Sequence, residues 1–115
     1  MKKRVLVIEN DPDILEIVEL VLHEGGYQVI GVSGQEAGQL SVYQADLIIL
    51  DDWTDKSNGN SFCGALSNPA LSDTPVLMMS TSPNIEEVAK ACHAEHYLRK
   101  PFDIEELLKK VRCMC

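Results

Sequence analysis

The sequence predicts an α/β fold in which a doubly wound, five-stranded parallel sheet carries five helices on its two faces. Three observations carry that prediction. Short apolar runs recur along the chain, each the length of a strand and most too continuous to have a solvated face. Amphipathic stretches separate them, so strand and helix alternate as parallel crossovers require. Finally, the polar, chemistry-bearing residues cluster just after the apolar runs, where the crevice of such a sheet lies.

Val5–Ile8 is the first strand. Asp11 is placed to cap the helix that follows, and Pro12 suits its first turn. Ile14, Leu15, Ile17, Val18, Val21 and Leu22 then recur at helical spacing to about Glu24, and Gly25-Gly26 stops the helix. Tyr27–Val32 is a second strand. Ser33 opens a second helix with sparse apolar positions at Ala37, Leu40 and Tyr43, weakened by Gly34 and Gly38. Leu47–Leu50 is the most apolar strand and ends at Asp51-Asp52. The polar "WTDKSNGNS" leads to a third helix from about Ser61 to Ser67. Pro75–Met79 is the fourth strand, and Ser82-Pro83 introduces a fourth helix, Ile85–His93. Glu95–Leu98 is the fifth strand, and Asp103 caps a last helix from Ile104 to about Arg112. The chain reads as a single unit over residues 1–115, with no repeat, linker or output domain.

Ten basic residues against eighteen acidic ones give a formal charge of −8. This argues against a nucleic-acid surface, which needs a basic stripe to replace counterions. It suits a metal cation or a basic partner, while simple solubility is the plainer reading. None of the four cysteines forms a CxxC pair, and Cys113-Met114-Cys115 reads as a helix end before a soft-metal chelate. No apolar run reaches the roughly 18 residues of a membrane helix. Val5–Ile8 is also too short for a signal-peptide core. A cytoplasmic location with reduced thiols follows as the expectation.

The strand ends deliver Glu9, Asn10 and Asp11, then Asp51 and Asp52, then Ser80 and Thr81, then Arg99-Lys100-Pro101. Carboxylates, hydroxyls and an ammonium in one crevice make a site for a hard divalent cation and a transferable phosphoryl group. A carboxylate there can attack phosphorus, and the charge on the phosphoryl oxygens needs a cation, an ammonium and a hydroxyl donor. The competing reading is that strand-end carboxylates merely cap helices, as Asp11 and Asp103 are placed to do. His23, His93 and His96 read as surface or turn residues.

Over essentially its full length the chain resembles the receiver domain of two-component response regulators. The resemblance lies in "VIENDP", "LIILD" ending at Asp51, Gly59 eight residues on, "PVLMMST" and "YLRKPF", in that order and spacing. It implies a flavodoxin-like topology with strand order 2-1-3-4-5. It also implies that Asp51 accepts a phosphoryl group from a histidine kinase or phosphotransfer protein. Glu9, Asn10, Asp51 and the Trp53 backbone carbonyl would then bind Mg²⁺ or Mn²⁺, weakly. Ser80, Thr81 and Lys100 would contact the phosphoryl group, and Ser80 with Tyr97 would form the switch. That switch would act on a downstream partner at the face of the fourth helix, fifth strand and fifth helix. The Lys100-Pro101 bond would be cis. No membrane or nucleic-acid contact is implied for this chain, and its only catalysis would be its own phosphorylation and dephosphorylation.

The chain departs from the family's pattern at several positions. Asn10 stands where a second acid is usual, which predicts weakened rather than abolished cation binding, with Asp11 and Asp52 placed to compensate through the cation's waters. The loop after Asp51 has Thr54, Asp55, Lys56 and Ser57 in place of a proline and apolar anchors. Trp53 either shelters the phosphate or simply packs over the loop. Thr81 replaces a small residue, and His93 a glycine. These departures sustain an alternative, a pseudo-receiver that binds proteins without phosphorylation. A flavin-binding domain of similar topology lacks a phosphate loop after the first strand.

Overall fold

In the computed structural model, residues 2–9, 11–32, 43–51, 73–91 and 93–115 are described. Five strands form one parallel sheet: β1 (Arg4–Ile8), β2 (Gln28–Val32), β3 (Leu47–Asp51), β4 (Val76–Ser80) and β5 (His96–Arg99). Their order is β2-β1-β3-β4-β5, the doubly wound order expected. Three helices lie among the described residues: α1 (Pro12–Glu24), α2 (Ile85–Ala91) and α3 (Ile104–Met114). They are the first, fourth and fifth predicted helices; the second, opened by Ser33, and the third, Ser61–Ser67, fall outside the described residues.

The continuous apolar runs are explained by burial on both sides. Val5, Val7, Leu47, Ile49, Leu77, Met79 and Leu98 pack with Val18, Val21 and Leu22 of α1 and Leu107 and Val111 of α3. The alternate residues, Leu6, Ile8, Ile48, Leu50, Val76 and Met78, pack on the other face with Ala89 of α2. The period of two thus sends each strand's side chains into two separate cores.

The helix ends follow local chemistry. Asp11 accepts from the backbone N–H of Asp13 and Ile14, with Pro12 opening α1. At its far end Gly26 takes φ 95°, while its N–H and that of Tyr27 donate to His23 and Leu22 carbonyls, closing the helix as a Schellman turn. Asp103 and Glu106 form a reciprocal capping box on α3. This helix runs to Met114, two residues past the expected end, with Cys113 exposed and Cys115 half-buried.

Every strand has at least one boundary one residue from the expected one, and two of these shifts have identifiable reasons. Ser80 stays in β4 because its carbonyl accepts from the Lys100 N–H. Glu95 precedes β5 because both its backbone N–H and its carboxylate are engaged with Val76. His93 sits at φ 62°, and it closes α2 through His93 N–H to Lys90 and Ala94 N–H to Ala89. A glycine fits this left-handed position better. His93→Gly is expected to raise stability by about 0.5 kcal/mol, the ~1–2 kcal/mol of left-handed strain less ~0.4–1 kcal/mol of added unfolded-chain freedom. Urea denaturation of the two proteins checks it.

Candidate functional site

The sheet assembles the site at its carboxyl edge. Ile8 of β1 pairs with Leu50 of β3, so the next residues, Glu9 and Asp51, emerge side by side. Both continue the alternation of Val5, Val7, Leu47 and Ile49, but they end the apolar rows with carboxylates. Glu9 is 1% and Asp51 3% exposed. The β4–β5 ladder extends past the strands through Lys100 N–H to the Ser80 carbonyl, at 2.9 Å. That bond fixes where the lysine arm departs, and the Lys100-Pro101 peptide that follows is cis.

The arm crosses β4. Lys100 Nζ lies 2.8 Å from Glu9 Oε2 and 3.3 Å from Asp51 Oδ2, with its side chain 11% exposed. Burial alone would lower the lysine pKa, but the hydrogen bond to Glu9 and the charge of Asp51 outweigh it and hold the pKa above 10.5. The group is therefore an ammonium at neutral pH, shared unequally between two buried carboxylates. Glu9 is held at its other oxygen as well, since Oε1 accepts from the Asp11 N–H at 3.1 Å.

Ser80 ends β4, is buried, and accepts the Ser82 N–H at Oγ, 2.8 Å away. Thr81 beside it is exposed. Tyr97 is half-buried and pairs in register with Met78, so it shares the sheet face that Ser80 continues. Around Tyr97, a groove of about 300 Å³ is lined by Glu86 and Lys90 of α2, Glu95, His96 and Lys110 of α3. This is the face expected to carry the switch. Asn10, Asp52 and Trp53 lie outside the described residues.

The structure thus brings Glu9, Asp51 and Lys100 into direct contact, places Ser80 and Thr81 at the same edge, and sets Tyr97 on the flanking face. The donor set bears on a divalent cation. All the side-chain donors are oxygens, which suits a hard ion such as Mg²⁺. Two carboxylates against one ammonium leave net negative charge in a buried place. Among the described residues, no three His, Cys, Asp or Glu side chains gather closely enough to form a metal cage. Glu9 and Asp51, as buried oxygen donors, fit a hard cation that keeps much of its water. Sequence reasoning paired Lys100 with a phosphoryl group and missed its bond to Glu9. The signal was available in the strand order, which sets the lysine's strand three places from that of Glu9, within reach only of a long arm lying over the edge.

Comparison with known proteins gives a consistent picture. The family model described as "Response regulator receiver domain" matches residues 5–112. The DNA-binding dual master transcriptional regulator RpaA of Synechocystis is 37% identical, over 96% of this chain and 48% of that protein. The DNA-binding response regulator MtrA of Mycolicibacterium smegmatis is 31% identical, over 97% and 50% respectively. The chain spans about half the length of these curated relatives. Among solved structures, the chemotaxis response regulator CheY4 of Vibrio cholerae is 31% identical with a TM-score of 0.85 and full coverage of both chains. A putative response regulator from Chloroflexus aurantiacus is 30% identical with a TM-score of 0.83, covering 99% of this chain and 98% of the other.

Proposed function

Since this chain belongs to the response regulator receiver domain family, we propose that it accepts a phosphoryl group on Asp51 from the phosphohistidine of a histidine kinase or phosphotransfer protein. The observation that carries the reading is the contact of one buried ammonium, Lys100, with two buried carboxylates, Glu9 and Asp51. A helix-capping role for Asp51 explains neither its burial nor its lysine. That argument also disfavours the pseudo-receiver alternative.

In this reading an Asp51 carboxylate oxygen attacks phosphorus. The new O–P bond forms as the P–N bond to the donor imidazole breaks, and the imidazole keeps the bonding electron pair. Lys100, already within reach of Asp51, pairs with the phosphoryl oxygens as their charge is transferred. The Ser80 hydroxyl exchanges its acceptor role toward Ser82 N–H for donation to a phosphoryl oxygen. Thr81, exposed at the entry, narrows access for water and donor alike. Mg²⁺ or Mn²⁺, when bound, supplies the positive charge that lets carboxylate and phosphoryl group approach. Glu9 and Asp51 provide the negative charge that would hold it, with Asn10 and the Trp53 carbonyl as neutral oxygen ligands.

Movement of Ser80 frees space on the face shared with Tyr97, and a change of the tyrosine's rotamer would re-shape the groove between α2, β5 and α3 for a downstream protein. The DNA-binding names belong to relatives about twice as long; with a formal charge of −8, no nucleic-acid contact is assigned to this chain. No helix among the described residues is long and apolar enough to cross a membrane, and a cytoplasmic setting suits the proposed donor. The protein would catalyse only its own phosphorylation and dephosphorylation.

Intact-mass measurement after incubation with acetyl phosphate and Mg²⁺ tests the reading. One added phosphoryl group, absent when a chelator removes Mg²⁺ before acetyl phosphate is added, is the expected result. An unchanged mass with acetyl phosphate and with a phosphohistidine donor would return the chain to a phosphorylation-independent binding module.

A further inference from the structure

The two edges of the sheet are finished differently. β5 closes one side with His96 and Arg99 exposed at its ends, and a cation on an edge is a common guard against pairing. β2 closes the other side with Gln28, Val29, Ile30, Gly31 and Val32, a stretch with no charge and no proline. All five residues pair in register with β1, so no bulge turns this edge away. The Gln28 N–H donates to the Lys3 carbonyl, and the Val32 carbonyl accepts from the Glu9 N–H. In a parallel ladder that alternation turns the N–H and C=O groups of Val29 and Gly31 outward. Among the described residues nothing takes up those four groups.

A carboxylate stands over the same edge. Gly31 has no side chain, and α1 uses the space: a Cβ there would lie 2.8 Å from the Glu19 carboxyl carbon and 2.9 Å from a Leu15 methyl. Glu19 is half-buried and meets no cation or hydrogen-bond donor among the described residues. We infer that the outer edge of β2 is a docking site for an extended basic segment of a partner protein, which joins the five-stranded sheet antiparallel as a further strand. Docking there requires no phosphoryl chemistry.

Backbone bonds to Val29 and Gly31 set the register of that strand. Its residue opposite Gly31 falls on the α1 side of the sheet beside Glu19, where a lysine or arginine pairs with the carboxylate. The next residue lies against half-buried Ile30 on the other face, and the one after it against half-buried Val29. Apolar side chains suit both places. In chain order the segment is therefore basic, apolar, apolar. A second copy of this chain is the poorer occupant. Pairing of β2 with itself would bring the two Glu19 carboxylates to one joint and unite two chains of formal charge −8.

The probe is a synthetic hexapeptide, acetylated and amidated, of sequence Thr-Lys-Ile-Val-Thr-Thr, titrated into ¹⁵N-labelled protein. The Val29 and Gly31 amide signals should move furthest, and their exchange with solvent should slow about tenfold as the new bonds cover them. Methylating the backbone nitrogens of the peptide's lysine and valine removes the donors that face β2. Binding should then weaken about tenfold or more, with the protein itself unaltered. Glu19→Gln should weaken binding about threefold at low salt and remove most of its salt dependence.

Unmoved Val29 and Gly31 signals at millimolar peptide overturn the proposal, and so does equal binding of the methylated peptide. Binding that neither salt nor Glu19→Gln alters overturns the basic partner. Movement of the same two signals on raising the protein concentration alone, without peptide, gives the edge to a second copy of the chain and overturns it too.

Discussion

Asp51→Asn is expected to abolish phosphoryl uptake altogether. An amide oxygen is too weak a nucleophile to attack phosphorus, and the substitution removes the one carboxylate among the described residues that both ends a strand and touches Lys100. The fold should survive, because Lys100 keeps its shorter bond to Glu9 and the buried ammonium is never left unpaired. The variant should therefore melt at or above the wild-type temperature while its mass stays unchanged after acetyl phosphate. Beryllofluoride should likewise produce no fluorescence response from the single tryptophan. Residual phosphorylation at the wild-type rate would move the acceptor elsewhere, with Asp52 the first position to examine.

Asn10→Asp should move affinity in the opposite direction, tightening Mg²⁺ binding by about 10- to 100-fold. The bare Coulomb gain is larger. One unit charge at about 4 Å in an effective dielectric near 20 is worth roughly 4 kcal/mol against each opposing unit charge. Solvent and neighbouring ligands recover much of that, because a hard cation in a half-built site retains its waters. The natural chain would thus need higher cation concentrations to load, and the variant should reach half-maximal acetyl phosphate labelling at correspondingly lower Mg²⁺. Calorimetric titration of both proteins measures the change directly. Equal affinities would mean that position 10 does not face the cation.

Much of the architecture was legible because burial on both faces leaves a strong imprint. The runs around Leu6, Ile49 and Met78 admit no solvated side, and the caps at Asp11 and Asp103 announce their helices. The site was legible as a set of strand ends, since alternation of strand and helix forces Glu9, Asp51, Ser80 and Lys100 to one edge. What could not be read was their pairing. Spacing along the chain says that a lysine reaches the crevice, but which carboxylate it favours depends on rotamers and on competition from the Asp11 N–H. The engagement of Ser80 by Ser82 is likewise a local turn with no periodic signature. Boundary shifts at Ser80 and Glu95 arose from ladder bonds with neighbouring strands, which no single segment specifies. At His93 the clue was compositional, because a non-glycine at a helix exit foretells strain only if the turn is left-handed.

The bond between Glu9 and Lys100 also has a consequence for the life of the chain before it is a finished protein. Its two ends lie 91 residues apart, so the contact belongs to the slow, long-range class that forms only after the intervening sheet has closed. Synthesis delivers Glu9 and Asp51 well before Lys100, and a nascent chain therefore carries both carboxylates without the ammonium that contacts them. Competence arrives last, with β5 and the turn after it. On the proposed reading, a truncated or stalled copy would carry Asp51 without Lys100 and is expected to draw little from a phosphodonor.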